Sequence, residues 1–127
     1  MAKTPTVSRK AVALNIEIDK GSTFRTTLIW MIGEPAVIKD LTGYTARMQM
    51  RPDVDSEIIL HEMTTEDGGI EIDGVNGKIN LFIGDDTSTA FDWNEAVYGL
   101  ELIDSGGSDD VRRLTYGNIE AFDETTR

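Results

Sequence analysis

The chain has 127 residues and 14.0 kDa, the size of one domain with a single core, and its 39% hydrophobic and 28% charged residues are a globular mix. Acidic residues outnumber basic ones 23 to 12, and the net charge of -11 opposes phosphate backbones and anionic lipid, so neither nucleic acid nor a membrane is expected as a partner. The absence of cysteine excludes disulfides, thiolate nucleophiles and cysteine-ligated zinc.

Residues 1–10 are polar, and Lys3, Arg9 and Lys10 precede the first carboxylate, Glu17. This pattern predicts a flexible basic arm, able to dock on an acidic neighbour or on another copy of the chain, ahead of a β domain spanning residues 11–127. The arm lacks the apolar stretch of a signal peptide, and no apolar run reaches the roughly 20 residues that span a bilayer. The expectation is a protein folded and assembled in the cytoplasm.

Period-2 alternation then recurs along the chain. Val12, Leu14, Ile16 and Ile18 form one strand face, and Lys20-Gly21-Ser22 supplies a turn. Phe24, Thr26, Leu28 and Trp30 form the next face. Val37-Ile38 is a short segment after the break at Gly33-Glu34-Pro35. Tyr44, Ala46, Met48 and Met50 alternate with polar residues until Pro52 ends the strand, and Ile58-Ile59-Leu60 reads as a compact apolar strand. Gly69–Asp73 and Lys78–Ile83 flank Asn76-Gly77, a pair that tolerates positive φ, so these two strands should form an antiparallel hairpin.

Gly84 to Glu95 is the one stretch without alternation. Asp85-Asp86 before Thr87-Ser88-Thr89 predicts a short helical turn with an acidic cap around Ala90 and Phe91. Val97–Ile103 is a further strand, Ser105–Asp110 a flexible polar loop, and Val111–Tyr116 a strand that bends at Gly117-Asn118 before Ile119–Phe122. Short strands at near-regular spacing predict an all-β fold, a single antiparallel β-sandwich or barrel.

Few residues carry chemistry. His61 is the lone imidazole, and Glu62 beside it should point to the opposite face of a strand, so the two do not cooperate. Lys20-Gly21-Ser22-Thr23 lacks the leading glycine of a phosphate loop, because Ile16 stands there. Carboxylate clusters such as Asp104 with Asp109 and Asp110 match no calcium-loop pattern. The expectation is therefore no catalytic residue, no cofactor and no metal. Trp30 belongs to an apolar strand face and reads as core, whereas Trp93 reads as an exposed aromatic suited to anchor an interface.

The motifs Asp40-Leu41-Thr42-Gly43-Tyr44, Asp67-Gly68-Gly69-Ile70, Gly77-Lys78-Ile79-Asn80-Leu81, Tyr98-Gly99-Leu100-Glu101-Leu102 and Arg113-Leu114-Thr115-Tyr116-Gly117-Asn118-Ile119 follow one another in an order whose likeness extends from about Ile16 to Phe122. This ordered series resembles the N-terminal domain of phage baseplate upper proteins and similar tail fibre-attachment modules. That resemblance implies an immunoglobulin-like β-sandwich in a virion, present in repeated copies or as a homo-oligomer, and a non-enzymatic adaptor in the tail, baseplate or neck that binds other phage virion proteins. Family members commonly carry a long C-terminal extension, and a sequence ending at Arg127 implies a free-standing adaptor or decoration subunit. The alternatives are a capsid decoration protein and a receptor- or carbohydrate-binding module using Trp93 and the loop 104–110. Contacts would involve Lys3, Arg9, Lys10 and Trp93.

Overall fold

A computed structural model describes residues 11–104 and 110–124. The arm with Lys3, Arg9 and Lys10, and the loop 105–109, lie outside the described residues. In chain order the strands are β1 (Val12–Ala13), β2 (Ile16–Asp19), β3 (Phe24–Ile29), β4 (Met31–Ile32), β5 (Val37–Ile38), β6 (Tyr44–Arg51), β7 (His61–Thr64), β8 (Ile70–Asp73) and β9 (Lys78–Ile83). A single helical turn, α1 (Asp85–Thr89), precedes the long strands β10 (Glu95–Asp104) and β11 (Val111–Phe122).

The fold is all-β. A six-stranded sheet runs β1-β11-β10-β6-β7, with β2 also on β11; a second sheet runs β3-β9-β8; and β4 pairs with β5. Alternation explains the core. Met48 and Met50 of β6, Leu100 and Leu102 of β10, Ile119 of β11, and Ile79, Leu81 and Ile83 of β9 all join one buried cluster. Trp30 is buried there too, as its strand face predicts.

The large sheet is not purely antiparallel. β1 and β2 run parallel to β11, with Val12 opposite Thr115 and Ile16 opposite Ile119. Nearly the whole domain separates these strands in sequence, so no tight turn forces them antiparallel. Their attachment to β11 is specific. The Tyr98 hydroxyl donates to the Leu14 carbonyl at 2.7 Å, and the Thr115 hydroxyl donates to the Val12 carbonyl at 2.6 Å. Between β1 and β2 the chain crosses so close to Gly117 that a Cβ there would collide with the Leu14 carbonyl. The bend expected at Gly117-Asn118 is absent, and β11 continues unbroken to Phe122. Gly117 serves the crossing, not a turn.

The 70–83 hairpin forms as its turn residues predict, with Asp73 opposite Lys78 and Gly77 at φ +62. Ile58-Ile59-Leu60 is not a strand: Ile58 is 63% exposed and Ile59 44%, and β7 begins only at His61. Local hydrogen bonds hold residues 53–58 in a loop instead, with the Asp53 carboxylate accepting from the Asp55 N–H and the Ser56 hydroxyl from the Ile58 N–H. The helical turn is present, but Gly84 is its N-cap with no side-chain cap; Asp85 and Asp86 occupy the first turn. It is anchored by buried Ser88, whose hydroxyl accepts from the Gly21 N–H and lies 3.0 Å from the Ser22 carbonyl.

Two glycines therefore predict opposite outcomes. Gly117→Ala should lower stability by about 2 kcal/mol or more in denaturant melts, because backbone must move. Gly99→Ala should be neutral or stabilise by about 0.5–1 kcal/mol, since a Cβ there meets only the Arg113 side chain at 3.9 Å.

Candidate interaction surfaces

Three regions carry the side chains that composition and spacing bring forward. The first is the aromatic group under α1. His61 sits opposite Met50 at the start of β7, its ring edge-on to Phe91 at 5.4 Å, and Phe91 stacks on Trp93 at 4.7 Å. Trp93 is half-buried and packs against the core, so one face of its ring is already covered. Glu62 points to the other side of the sheet and accepts from Gln49 Nε2 at 2.6 Å, so His61 and Glu62 do not meet. Burial pushes the His61 imidazole below its ordinary pKa, partly opposed by the Asp67 carboxylate. Burial acts to raise Asp67 itself, but the Thr64 and Gly69 backbone N–H groups and the Thr64 side chain outweigh it and hold that carboxyl low. Among the described residues no three His, Cys, Asp or Glu side chains converge on a point that could hold a metal ion.

The second region is the outward face of the six-stranded sheet. Register places its side chains in cross-strand rows. Glu17, Glu120 and Glu95 form one row, then Asn118, Val97 and Arg51. Tyr116, Gly99, Gln49 and Glu62 follow, and then Arg113, Glu101, Arg47 and Thr64. Arg47 Nη2 pairs with Glu101 at 2.6 Å, Arg51 donates to the Ser56 carbonyl and to Gln49 Oε1, and Arg113 lies 5.3 Å from the centre of the Tyr116 ring. Around Val97 and Gly99 these rows enclose a polar groove of about 600 Å³. Sequence alternation identifies the outward residues; only the pairing register reveals the rows.

The third region is apolar. Val12, Leu14, Leu28, Ile29, Met31 and Leu114 line a groove of about 290 Å³ where β1 and the end of β3 approach. Val12 is 55% exposed, Ile29 51% and Met31 41%, and the β4–β5 hairpin adds Ile38, opposite Met31, at 50% and Val37 at 57%. Trp30 ties this hairpin down by donating its N–H to the Gly77 carbonyl and accepting from the Lys39 N–H. The hairpin is thus held in place with its apolar side chains in solvent. Apolar alternation alone does not say which side of a strand is covered, so the sequence does not mark these residues as exposed.

The depressed His61 pKa fixes a sign. The unfolded chain takes up the proton first, near pH 6.5, so stability is full above that pH and falls as pH drops through the lower folded value. Melting temperature measured from pH 7.5 to 5 should decline more steeply for the native chain than for His61→Gln, and equal slopes would contradict the burial argument. No protein-family profile and no curated protein sequence matches the chain.

Proposed function

We propose that the chain is a non-enzymatic interaction module of a phage particle, an adaptor or attachment subunit at the tail, baseplate or neck that binds neighbouring virion proteins. The observation carrying this reading is the apolar end built from Val12, Leu14, Ile29, Met31, Val37 and Ile38. Contiguous apolar surface of this kind marks contact sites on soluble proteins, particularly where a hydrogen-bonded hairpin presents it. Covering it contributes roughly 1 kcal/mol per half-exposed side chain, enough in sum to hold a subunit in a repetitive assembly. β3 adds a second means of contact, since it is an edge of its sheet and no described strand pairs with its outer side.

The resemblance of the ordered motifs from Asp40 to Ile119 to baseplate upper protein domains supplies the particle context. An immunoglobulin-like sandwich, placed in the virion after assembly in the host cytoplasm, is part of the same proposal. Trp93 is a secondary anchor in this reading, offering the ring face that Phe91 leaves uncovered.

The double variant Ile29→Lys with Met31→Glu tests it. Both side chains are exposed, so the purified variant should melt within a few degrees of the native chain. Its incorporation into particles, read by quantitative blotting, should fall at least about tenfold. Incorporation at the native level would defeat the proposal.

A further inference from the structure

The outward face of the six-stranded sheet holds two features that the fold itself does not require. Gly99 stands in the middle of β10, where a glycine weakens a strand. Its φ is not positive, and an added Cβ would make only an ordinary contact with the Arg113 side chain. The pairing of β10 with β11 shifts register just beyond it, between Leu100 and Glu101, but neither backbone angle nor space calls for this glycine. Its effect is a gap one side chain wide in the centre of the face, with Val97 standing beside it two residues away. Glycine inside a strand marks either a bulge, such as the one beside it, or a surface that something else approaches closely, and the gap on this face fits the second.

The second feature is the row Glu17, Glu120 and Glu95, directly opposite one another across three neighbouring strands. Like charges in this arrangement repel, and no ion pair to another described residue relieves them. Three rows further along the same face stand Arg113 and Arg47, with Arg51 in the row between the glutamates and Gly99. The face is therefore acidic at one end, while at the other Glu101 stands between two arginines and leaves a net positive row, with Val97, Gly99 and Tyr116 between them.

We propose that this face pairs with the same face of a second copy of the chain, about a two-fold axis lying across the strands between the Val97 row and the Gly99 row. That operation exchanges the first row with the fourth and the second with the third. Glu120 of each copy meets Arg113 of the other, since both belong to β11, and Glu95 meets Glu101, both on β10, a like-charge contact that the Arg47 paired with Glu101 offsets. Val97 of each enters the gap at Gly99 of the other, and Arg51 comes over Gln49 and Glu62. Two sheets packed face to face lie about 10 Å apart with strands within about 30°, a separation that Glu and Arg side chains bridge. Tyr and Arg at the centre of the face are the residue types enriched at protein contacts.

The occupant is a second copy and not an unrelated acidic protein because the complement of the arginine end is present on the same face. A two-fold contact uses both halves twice and closes at two subunits. The net charge of -11 on each copy opposes approach at long range. At about 0.15 M salt the screening length is about 8 Å, which removes most of that repulsion while leaving pairs in contact.

Sedimentation of the full chain at about 0.15 M salt tests the proposal. The native chain should form a dimer that does not grow with concentration. Glu120→Lys and Arg113→Glu should each weaken pairing by about a hundredfold or more, and an equimolar mixture of the two should restore a dimer, because each altered residue then faces its opposite. Gly99→Gln should abolish pairing by filling the gap, with an unchanged or higher melting temperature that excludes misfolding. A native chain monomeric at millimolar concentration, assembly beyond two copies, variants that dimerise like the native chain, or a mixture that stays monomeric would each overturn it. None of these residues belongs to the apolar end, so failure here leaves the incorporation result for Ile29 and Met31 standing.

Discussion

The rest of the structure depends on the in-and-out alternation of β10. This strand lies between β11 and β6, so its register decides the faces of the whole six-stranded sheet. Ala96, Tyr98, Leu100 and Leu102 turn inward, and Glu95, Val97, Gly99 and Glu101 form the outward floor. A slip of one residue would put Leu100 and Leu102 in water and two carboxylates in the core. Burying a carboxylate without a partner costs far more than the loss of any one contact. The Arg47–Glu101 ion pair also fits this register, but both groups are well exposed and such pairs contribute at most about 1 kcal/mol. Packing of Leu100 against its neighbours sets the register, and the ion pair follows.

With β10 fixed, the N-terminal segment can attach to the outer side of β11. Tyr98, itself an inward residue of β10, reaches the Leu14 carbonyl, so the central strand and the parallel strand beyond β11 are tied by a side chain that spans the strand between them. Burial pushes the Tyr98 phenol above its ordinary pKa, which keeps the hydroxyl a donor throughout the physiological range. Gly117 supplies the space for that crossing. β1 thereby comes to lie beside Leu28, Ile29 and Met31, and together they line the apolar groove.

Much of the fold is legible in the sequence where local chemistry and tertiary demand agree. The β8–β9 hairpin follows from Asn76-Gly77 between alternating runs, and β6 from Tyr44 to Arg51 with Pro52 behind it. Misreadings fall where apolar residues serve no core. Ile58 and Ile59 are β-branched and adjacent, yet Asp53 and Ser56 hold the loop by side-chain hydrogen bonds. Gly117-Asn118 has the composition of a turn, but its cause lies 103 residues away in Asn15, whose side chain accepts from the Asn118 N–H. Parallel pairing, the rows of the outward face and the burial of Ser88 all depend on contacts distant in sequence. Of the expected contact residues, Trp93 is half-buried on Phe91, while Ile29, Met31, Val37 and Ile38 are the exposed apolar group that alternation alone does not assign to a side.

In the proposed function the chain acts through its surfaces, with the apolar end as the point of attachment to a larger assembly. Cryo-electron microscopy of particles that contain the protein measures this most directly. The expected result is density for the domain on the tail, baseplate or neck, with the β4–β5 hairpin and Ile29 pressed against a neighbouring subunit. A reconstruction in which Met31, Val37 and Ile38 face open solvent in every copy would contradict it.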